Sequence, residues 1–333
     1  MTKDVNNHIH TTYSFSPYTP ARAVRAAKAA GLAAAGIVDH DTISGAREFI
    51  AEGERLGLPT TIGFEIRAYH AHTAIGKRRT NHPDQEDISY LTFHGVPHTR
   101  IGAVTEFLRP VNHARGERNR AICARLGLDY DRDVLPLSMH GRGGSVTERH
   151  ILFALAKQDY GELARLNSEF NDYSPANRDE CVDMDKALGF AYDNGIIATY
   201  SYLGDVTNSV TGDKRPQKFE DAYLDELVGI LHDMGFRAIS YMPSRNTAQQ
   251  LARLRGLCER YRMLQISGED INSPGQPFVC EAMRDPMYAN LYDTTWALIG
   301  HERAATRDIS QGFMSVHMPL EDKIRHYMKL ARD

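Results

Sequence analysis

The strongest constraint on the fold is a rhythm at the start of the chain. Between residues 5 and 67, three short apolar runs alternate with two helix-forming stretches. Thr19-Pro20 reads as an N-cap followed by proline at the first helical position. "ARAVRAAKAA" is then a strong helix former, and Gly31 is its expected stop. "LAAAGIVDHD" is a buried strand that delivers Asp39, His40 and Asp41 at its end. A helix over 44–56 closes at Gly57, and "LPTTIGFEIR" is the next strand, with Glu65 near its end. This β-α-β-α-β order calls for a parallel sheet with crossover helices.

The rhythm breaks at 68–89, a polar stretch with a second His-x-His (His70, His72) and the basic run Lys77-Arg78-Arg79. A surface loop is the expectation there, with a substrate lid as the alternative. "YLTFHGV" resumes as a strand with His94 close to its end. Residues 100–189 read as helical and are expected to form an inserted cap subdomain over the strand ends. Strands return at 195–203, in "FRAISYM" and in "MLQISGEDIN", separated by helices over 219–234 and 247–262. The last 50 residues carry no motif. The expected class is α/β, a distorted (β/α)7 barrel made of residues 1–99 and 190–333, with the helical insert at 100–189.

Composition narrows the partners. Hydrophobic residues make up 42% and charged residues 25%, and the net charge is −4. No global basic field favours nucleic acid or anionic membrane. No run approaches the ~20 apolar residues of a membrane span, and "MTKDVNNHIH" lacks the apolar core of a secretory leader. Cys123, Cys181, Cys258 and Cys280 are far apart and read as reduced thiols, so a cytoplasmic protein is expected.

His8 and His10 would share one face of a strand, since side chains alternate with period two. Alone, such a pair is a weak sign in a chain with 15 histidines. What strengthens it is position. His8/His10, Asp39/His40/Asp41, Glu65, His94 and Glu269/Asp270 all fall at or just past the C-terminal ends of expected strands. That rim is where parallel barrels assemble active sites. Converging imidazoles and carboxylates suit a divalent ion, with Zn, Mn or Fe favoured over Ca or Mg.

"HIHTTYS…TP", "GIVDHDTISG" and "GFEI" resemble the opening motifs of the PHP (polymerase and histidinol phosphatase) family. "VTERHILFAL" is similar to a segment of its stand-alone phosphoesterases, and "ISGEDIN" stands where the family has a closing Asp-x-His. The resemblance covers roughly residues 5–275. It implies a seven-stranded barrel with a metal cluster at the strand ends and hydrolysis of phosphoesters. It also implies ligand roles for His8, His10, His40, Glu65, His94 and Asp270. Three family ligand positions are substituted: Phe15 replaces an aspartate, Tyr200 a histidine and Asn272 a histidine. His8, His10, Glu65 and Asp270 complete one metal set. A second ion, using His94, would be weakened and a third is not expected.

These residues lead to a metal-dependent hydrolase acting on a small anionic substrate, with a phosphoester as the bond type that the resemblance implies. His94, His40 and Tyr200 are the candidates for catalysis. Arg149, His150, Lys214, Arg215, Arg245 and Asn272 are the candidates for holding the substrate. Asp39 is expected to orient an imidazole by accepting its second N–H. Two other readings stay open: a one-metal enzyme of C–N hydrolysis or lyase chemistry, and a barrel that binds a ligand without turnover.

Overall fold

A computed structural model describes residues 3–83, 85–169, 176–206 and 217–332. Its strands are β1 (Val5–Ile9), β2 (Ala34–His40), β3 (Thr60–Tyr69), β4 (Ile88–His94), β5 (Val182–Asp183), β6 (Ile197–Ser201), β7 (Ala238–Tyr241) and β8 (Leu264–Ser267). The helices are α1 (Pro20–Ala29), α2 (Ala46–Leu56), α3 (Ile101–Arg125), α4 (Glu148–Leu155), α5 (Tyr160–Glu169), α6 (Met184–Asp193), α7 (Leu224–Met234), α8 (Ala248–Arg260), α9 (Ala289–Arg307) and α10 (Leu320–Leu330). The strands run in the order β1-β2-β3-β4-β6-β7-β8, and β5 adds a short pairing to β3. The result is a distorted, nearly closed (β/α)7 barrel.

Local chemistry sets the early boundaries where the sequence places them. Thr19 Oγ1 accepts the Arg22 N–H at 3.2 Å, and Pro20 opens α1. Helices α2 and α7 stop at Gly57 and Gly235. The barrel closes without a full ladder between β1 and β8. His10 N–H donates to the Ile271 carbonyl at 3.0 Å, and Ile271 N–H donates to the His8 carbonyl at 3.1 Å. Gly268 permits this approach, because a Cβ there would lie 2.6 Å from His8 Cβ and from His8 N.

One strand runs against expectation. β4 pairs antiparallel with both β3 and β6, while the other long pairings are parallel. The 70–87 segment is therefore the loop of a hairpin. A parallel connection needs a crossover, usually a helix, and no helix occurs among the described residues there. The start of β4, at Ser89 and Tyr90, thus sits at the barrel mouth. His94 lies deeper, opposite Gly63.

The segment expected to form an insert is largely helical among its described residues, but it grows out of the barrel core. Ile101, Val104 and Leu108 of α3 pack with Phe64, Phe93 and Leu91 in the main apolar cluster. Helix α6 packs Met184, Ala187 and Ala191 into the same cluster and spans residues 189 and 190, where the sequence suggested a boundary. Among the described residues, no helix is long and apolar enough to cross a membrane. All four cysteines are buried and unlinked.

The motif-poor C-terminus seals the lower end of the barrel. Glu302 on α9 accepts from Thr61 Oγ1 and Ile62 N–H, both at 2.8 Å, and faces His98 Nε2 at 2.8 Å. Ile197, Ala238, Leu264 and Ile266 pack there against Ala297 and Leu298 of α9 and Phe313. Each of the leucine, isoleucine and phenylalanine side chains among them, fully buried, contributes about 1.5–3 kcal/mol.

Beside the mouth, Glu220 ties down the turn after β6. One carboxylate oxygen accepts Leu203 N–H at 3.0 Å and Gly204 N–H at 3.3 Å. The other is buried with no hydrogen-bond partner among the described residues. Burial outweighs the backbone bonds and pushes its carboxyl up from 4.5 to about 7. The folded chain then holds a proton that the unfolded chain has already lost, so stability falls as pH rises from about 4.5 to about 7 and levels above that. Glu220→Gln removes this dependence. Urea unfolding of the two proteins should show the variant gaining on the order of 3 kcal/mol over wild type between about pH 4.5 and pH 8. Parallel stability profiles would mean that Glu220 titrates alike in both states.

Candidate metal centre

β1, β2, β3 and the loop after β8 bring five side chains to one point. Single atoms of His8, His10 and Glu65 lie within 4.8 Å of one another. Glu65 Oε2 is 3.6 Å from His8 Nε2, 3.9 Å from His10 Nε2 and 3.4 Å from His40 Nδ1. Asp270 Oδ1 is 3.3 Å from His10 Nε2. The His10 and His40 rings stack with centroids 4.6 Å apart. Asp270 reaches this group because the closing bonds of the barrel flank it at Ile271.

Neighbouring imidazoles keep both carboxylates of this group ionised. Burial would raise Glu65, but the charges of His40, His8 and His10 lower it to about 2. Burial would likewise raise Asp270, yet His10 holds it well below the carboxylate range. His10 moves the other way: burial lowers it, and the hydrogen bond and charge of Asp270 more than restore it. Burial leaves His40 at about 3. Two ionised, largely buried carboxylates among imidazoles are costly unless a cation or protonated partner faces them. That donor set suits a divalent metal ion.

Behind these side chains stands an orienting chain. Asp39 accepts from Thr11 N–H and Thr11 Oγ1, both at 2.6 Å, and from Ser14 Oγ at 2.7 Å. Ser14 Oγ in turn lies 3.4 Å from His10 Nδ1. Asp39 therefore reaches the imidazole through a serine rather than directly. Ser145 Oγ donates to the His40 carbonyl at 2.6 Å, tying the insert to the second motif.

His94 is buried on the same inner face as Glu65 and Thr92, near enough for the charges of His8 and Glu65 to act on it, but deeper, because β4 is antiparallel and its C-terminal end points away from the mouth. Its Nε2 has no hydrogen-bond partner among the described residues. Other expected residues stand elsewhere. Tyr200 pairs with Leu91, which pairs with Ile66. The inner face carries the alternate residues Glu65, Thr92 and Thr199, so Tyr200 faces outward into the main apolar cluster. Three hydroxyls on the inner side form a chain: Thr92 Oγ1 and Ser201 Oγ are 2.7 Å apart, and Ser240 Oγ donates to Ser201 Oγ at 3.3 Å. His150 is a helix cap, its Nδ1 accepting Thr147 N–H at 3.0 Å. Arg245 Nε donates to the Leu203 carbonyl at 3.0 Å and braces the turn after β6. Lys214 and Arg215 lie outside the described residues. Arg149 and Asn272 do reach the centre: Asn272 Nδ2 donates to Asp270 Oδ1 at 2.8 Å, and Arg149 Nη2 donates to Ser273 Oγ at 3.1 Å. Phe15 is buried against His150, Phe153 and Tyr160 of the insert, and forms an apolar wall.

Other residues at the mouth escape sequence reasoning. Tyr90 lies opposite Arg67 across the β3–β4 ladder, stacks on His82 at 5.0 Å and stands 6.1 Å from the His40 ring. A hairpin signal was present, since 70–87 has no helical periodicity. Arg67, Arg115 and Arg118 meet Asp41, Glu148 and Glu180 in a buried ionic network. Arg67 bonds Glu180 at 3.0 Å and lies 3.3 Å from Glu148, and Arg118 Nε is 2.6 Å from Glu180. Arg115 pairs with Asp41, and Arg118 with Glu148. Burial works against the charge on Glu148, but the arginines lower its carboxyl well below the usual range. These partners lie 30 to more than 100 residues apart, which no local pattern can register.

The sequence profile of the PHP domain family matches residues 6–238. No protein of curated function matches the chain. Among solved structures, the fold is similar to that of a protein from Bifidobacterium adolescentis inferred to be a metal-dependent phosphoesterase. That pair is 20% identical over 83% of this chain and 90% of that one, with a TM-score of 0.64. The fold is also similar to an amidohydrolase from Chromobacterium violaceum solved with bound sulfate and no metal. There the identity is 17% over 84% of this chain and 90% of that one, with a TM-score of 0.62. At these identities the likeness is one of fold.

Two substitutions test the placement. Glu180→Ala takes one fully buried carboxylate from three arginines, Arg67, Arg115 and Arg118, and should cost about 3–5 kcal/mol in equilibrium unfolding. A loss below about 1 kcal/mol would mean that water already screens the network. Tyr200→Phe should leave bound metal, measured by elemental analysis, as in wild type. Loss of the ion in that variant would put the phenol inside the centre.

Proposed function

Because the chain belongs to the PHP domain family, we propose that it is a metal-dependent hydrolase of a small anionic substrate, with a phosphoester as the bond cleaved. The observation that carries this reading is Glu65 Oε2, set 3.4–3.9 Å from three imidazoles with Asp270 beside them. His8, His10, Glu65 and Asp270 would hold one divalent ion, with His40 next to it. Such an ion, when bound, polarises the scissile group and brings the pKa of a water towards ~7.

The chain's own residues do the rest. Asp39 and Ser14 hold the His10 ring, and Asn272 holds the Asp270 carboxylate. The stacked His40 offers an imidazole beside the cluster, as a further ligand or a proton acceptor. Tyr90, Thr92, Ser201 and Ser240 present hydroxyls toward the barrel interior, suited to orienting an oxygen-rich substrate. His94 lies deeper, so a second ion would find a poorer set of ligands.

C–N hydrolysis is the second reading. It is favoured by the apolar Phe15 wall, and it is the chemistry named for the Chromobacterium protein.

The test is elemental analysis of protein purified without chelator, as wild type and Asp270→Ala. Then phosphomonoesters, phosphodiesters and amides are offered with Zn, Mn and Fe. About one ion per chain, lost in the variant, together with phosphoester turnover, is the expected result. Turnover of amides alone would replace the phosphoester reading with the second one. A chain that takes up no ion would end both.

A further inference from the structure

Arg149 opens the inserted helix α4 together with Glu148, and the two neighbours serve different sites. Glu148 enters the buried ionic network with Arg67 and Arg118. Arg149 turns the other way, its guanidinium carbon 5.2 Å from the centroid of the Phe15 ring. From there a chain of hydrogen bonds runs straight to the centre. Arg149 Nη2 donates to Ser273 Oγ at 3.1 Å, Ser273 Oγ donates to Asn272 Oδ1 at 2.9 Å, and Asn272 Nδ2 donates to Asp270 Oδ1 at 2.8 Å. That oxygen of Asp270 is the one 3.3 Å from His10 Nε2. Arg149 is also close enough for its charge to act on the Asp270 carboxylate.

We propose that Arg149 is the residue that takes the negative charge of the substrate: a fixed cation, carried by the insert, that binds a phosphate-type oxyanion beside Asp270. The proposal rests on the hydrolase reading above and adds to it the residue that selects an anion. Three features support the assignment. The planar guanidinium matches an oxyanion through parallel N–H donors, which an ammonium does not. The Phe15 ring, its centroid 5.2 Å from the guanidinium carbon, holds the half-buried guanidinium by cation–π attraction. The Ser273–Asn272 chain fixes the distance between this cation and Asp270, so one anionic group can meet both the guanidinium and whatever Asp270 holds. Phe15 and Asn272 contribute no charge, so the cation on this side of the centre comes from α4.

The experiment is calorimetric titration of the metal-loaded protein with inorganic phosphate, for wild type, Arg149→Ala and Arg149→Lys. Metal affinity and thermal unfolding are recorded for each. The expected result is a loss of phosphate affinity of roughly ten- to a hundredfold in Arg149→Ala. Arg149→Lys should fall between the two, and metal affinity should stay within about threefold of wild type. Added guanidinium ion should restore part of the phosphate affinity to Arg149→Ala. Should the alanine variant fail to fold, Arg149→Lys still tests the proposal, since equal phosphate affinity in that variant and wild type would leave no role for the planar fork. Phosphate affinity unchanged in Arg149→Ala, with the metal retained, would overturn the assignment and leave the hydrolase reading standing. Metal-loaded wild type that neither binds phosphate nor cleaves a phosphoester would overturn the phosphoester reading itself, and this assignment with it.

Discussion

Two backbone hydrogen bonds hold the two ends of the barrel sheet together. His10 and Ile271 exchange contacts across the seam between β1 and the loop after β8, where Gly268 lets the backbones meet. Those bonds place Asp270 against His10, more than 250 residues away in sequence. Without them, Glu65 would have its imidazoles but the second carboxylate would be absent. The centre is therefore a product of barrel closure. Closure itself depends on packing far below, where α9 seals the lower end through Glu302 and its apolar neighbours. The barrel thus divides into a largely apolar lower core, in which the buried Glu302 carboxylate is held by hydrogen bonds, and a polar mouth, where the imidazoles, carboxylates and arginines converge on one another.

The insert is joined to that mouth by charge as well as by apolar contact. Three arginines and three carboxylates, drawn from β3, the turn after β2, α3, α4 and the turn before β5, sit in one buried network. Such a network adds little net stability over a well-packed apolar core, but losing one member is expensive. Its consequence is geometric. It fixes the start of α4 over the barrel, so that Glu148 faces inward to the arginines while Arg149 lies on Phe15 beside the Asp270 loop. The same short segment, "VTERH", therefore provides the clamp, the cation and the cap at His150.

Much of the architecture could be read directly from the chain. The helix caps at Thr19, Gly57 and Gly235 are local chemistry, and each acts where the residue types said it would. His8, His10, His40, Glu65 and Asp270 come together because each sits at the end of a strand whose direction follows from its neighbours in sequence. The loop at 68–89 is where that logic fails. A polar stretch with no helical period signals a hairpin, and a hairpin reverses the next strand. Reversal brings Tyr90 to the mouth and sends His94 downward.

What the chain determined alone was the set of elements, their order and the residue types at the ends of the parallel strands, because caps, periodicity and apolar runs act over a few residues. What only the tertiary structure decided was direction and register. Whether β4 runs up or down, and whether Tyr200 or Thr199 faces the interior, depends on hydrogen bonds between distant strands, and a shift of one residue turns every side chain to the opposite face. The arginine network and the seam at Ile271 belong to the same class. Their members are scattered along the chain, and their energies exist only once the barrel has closed around them.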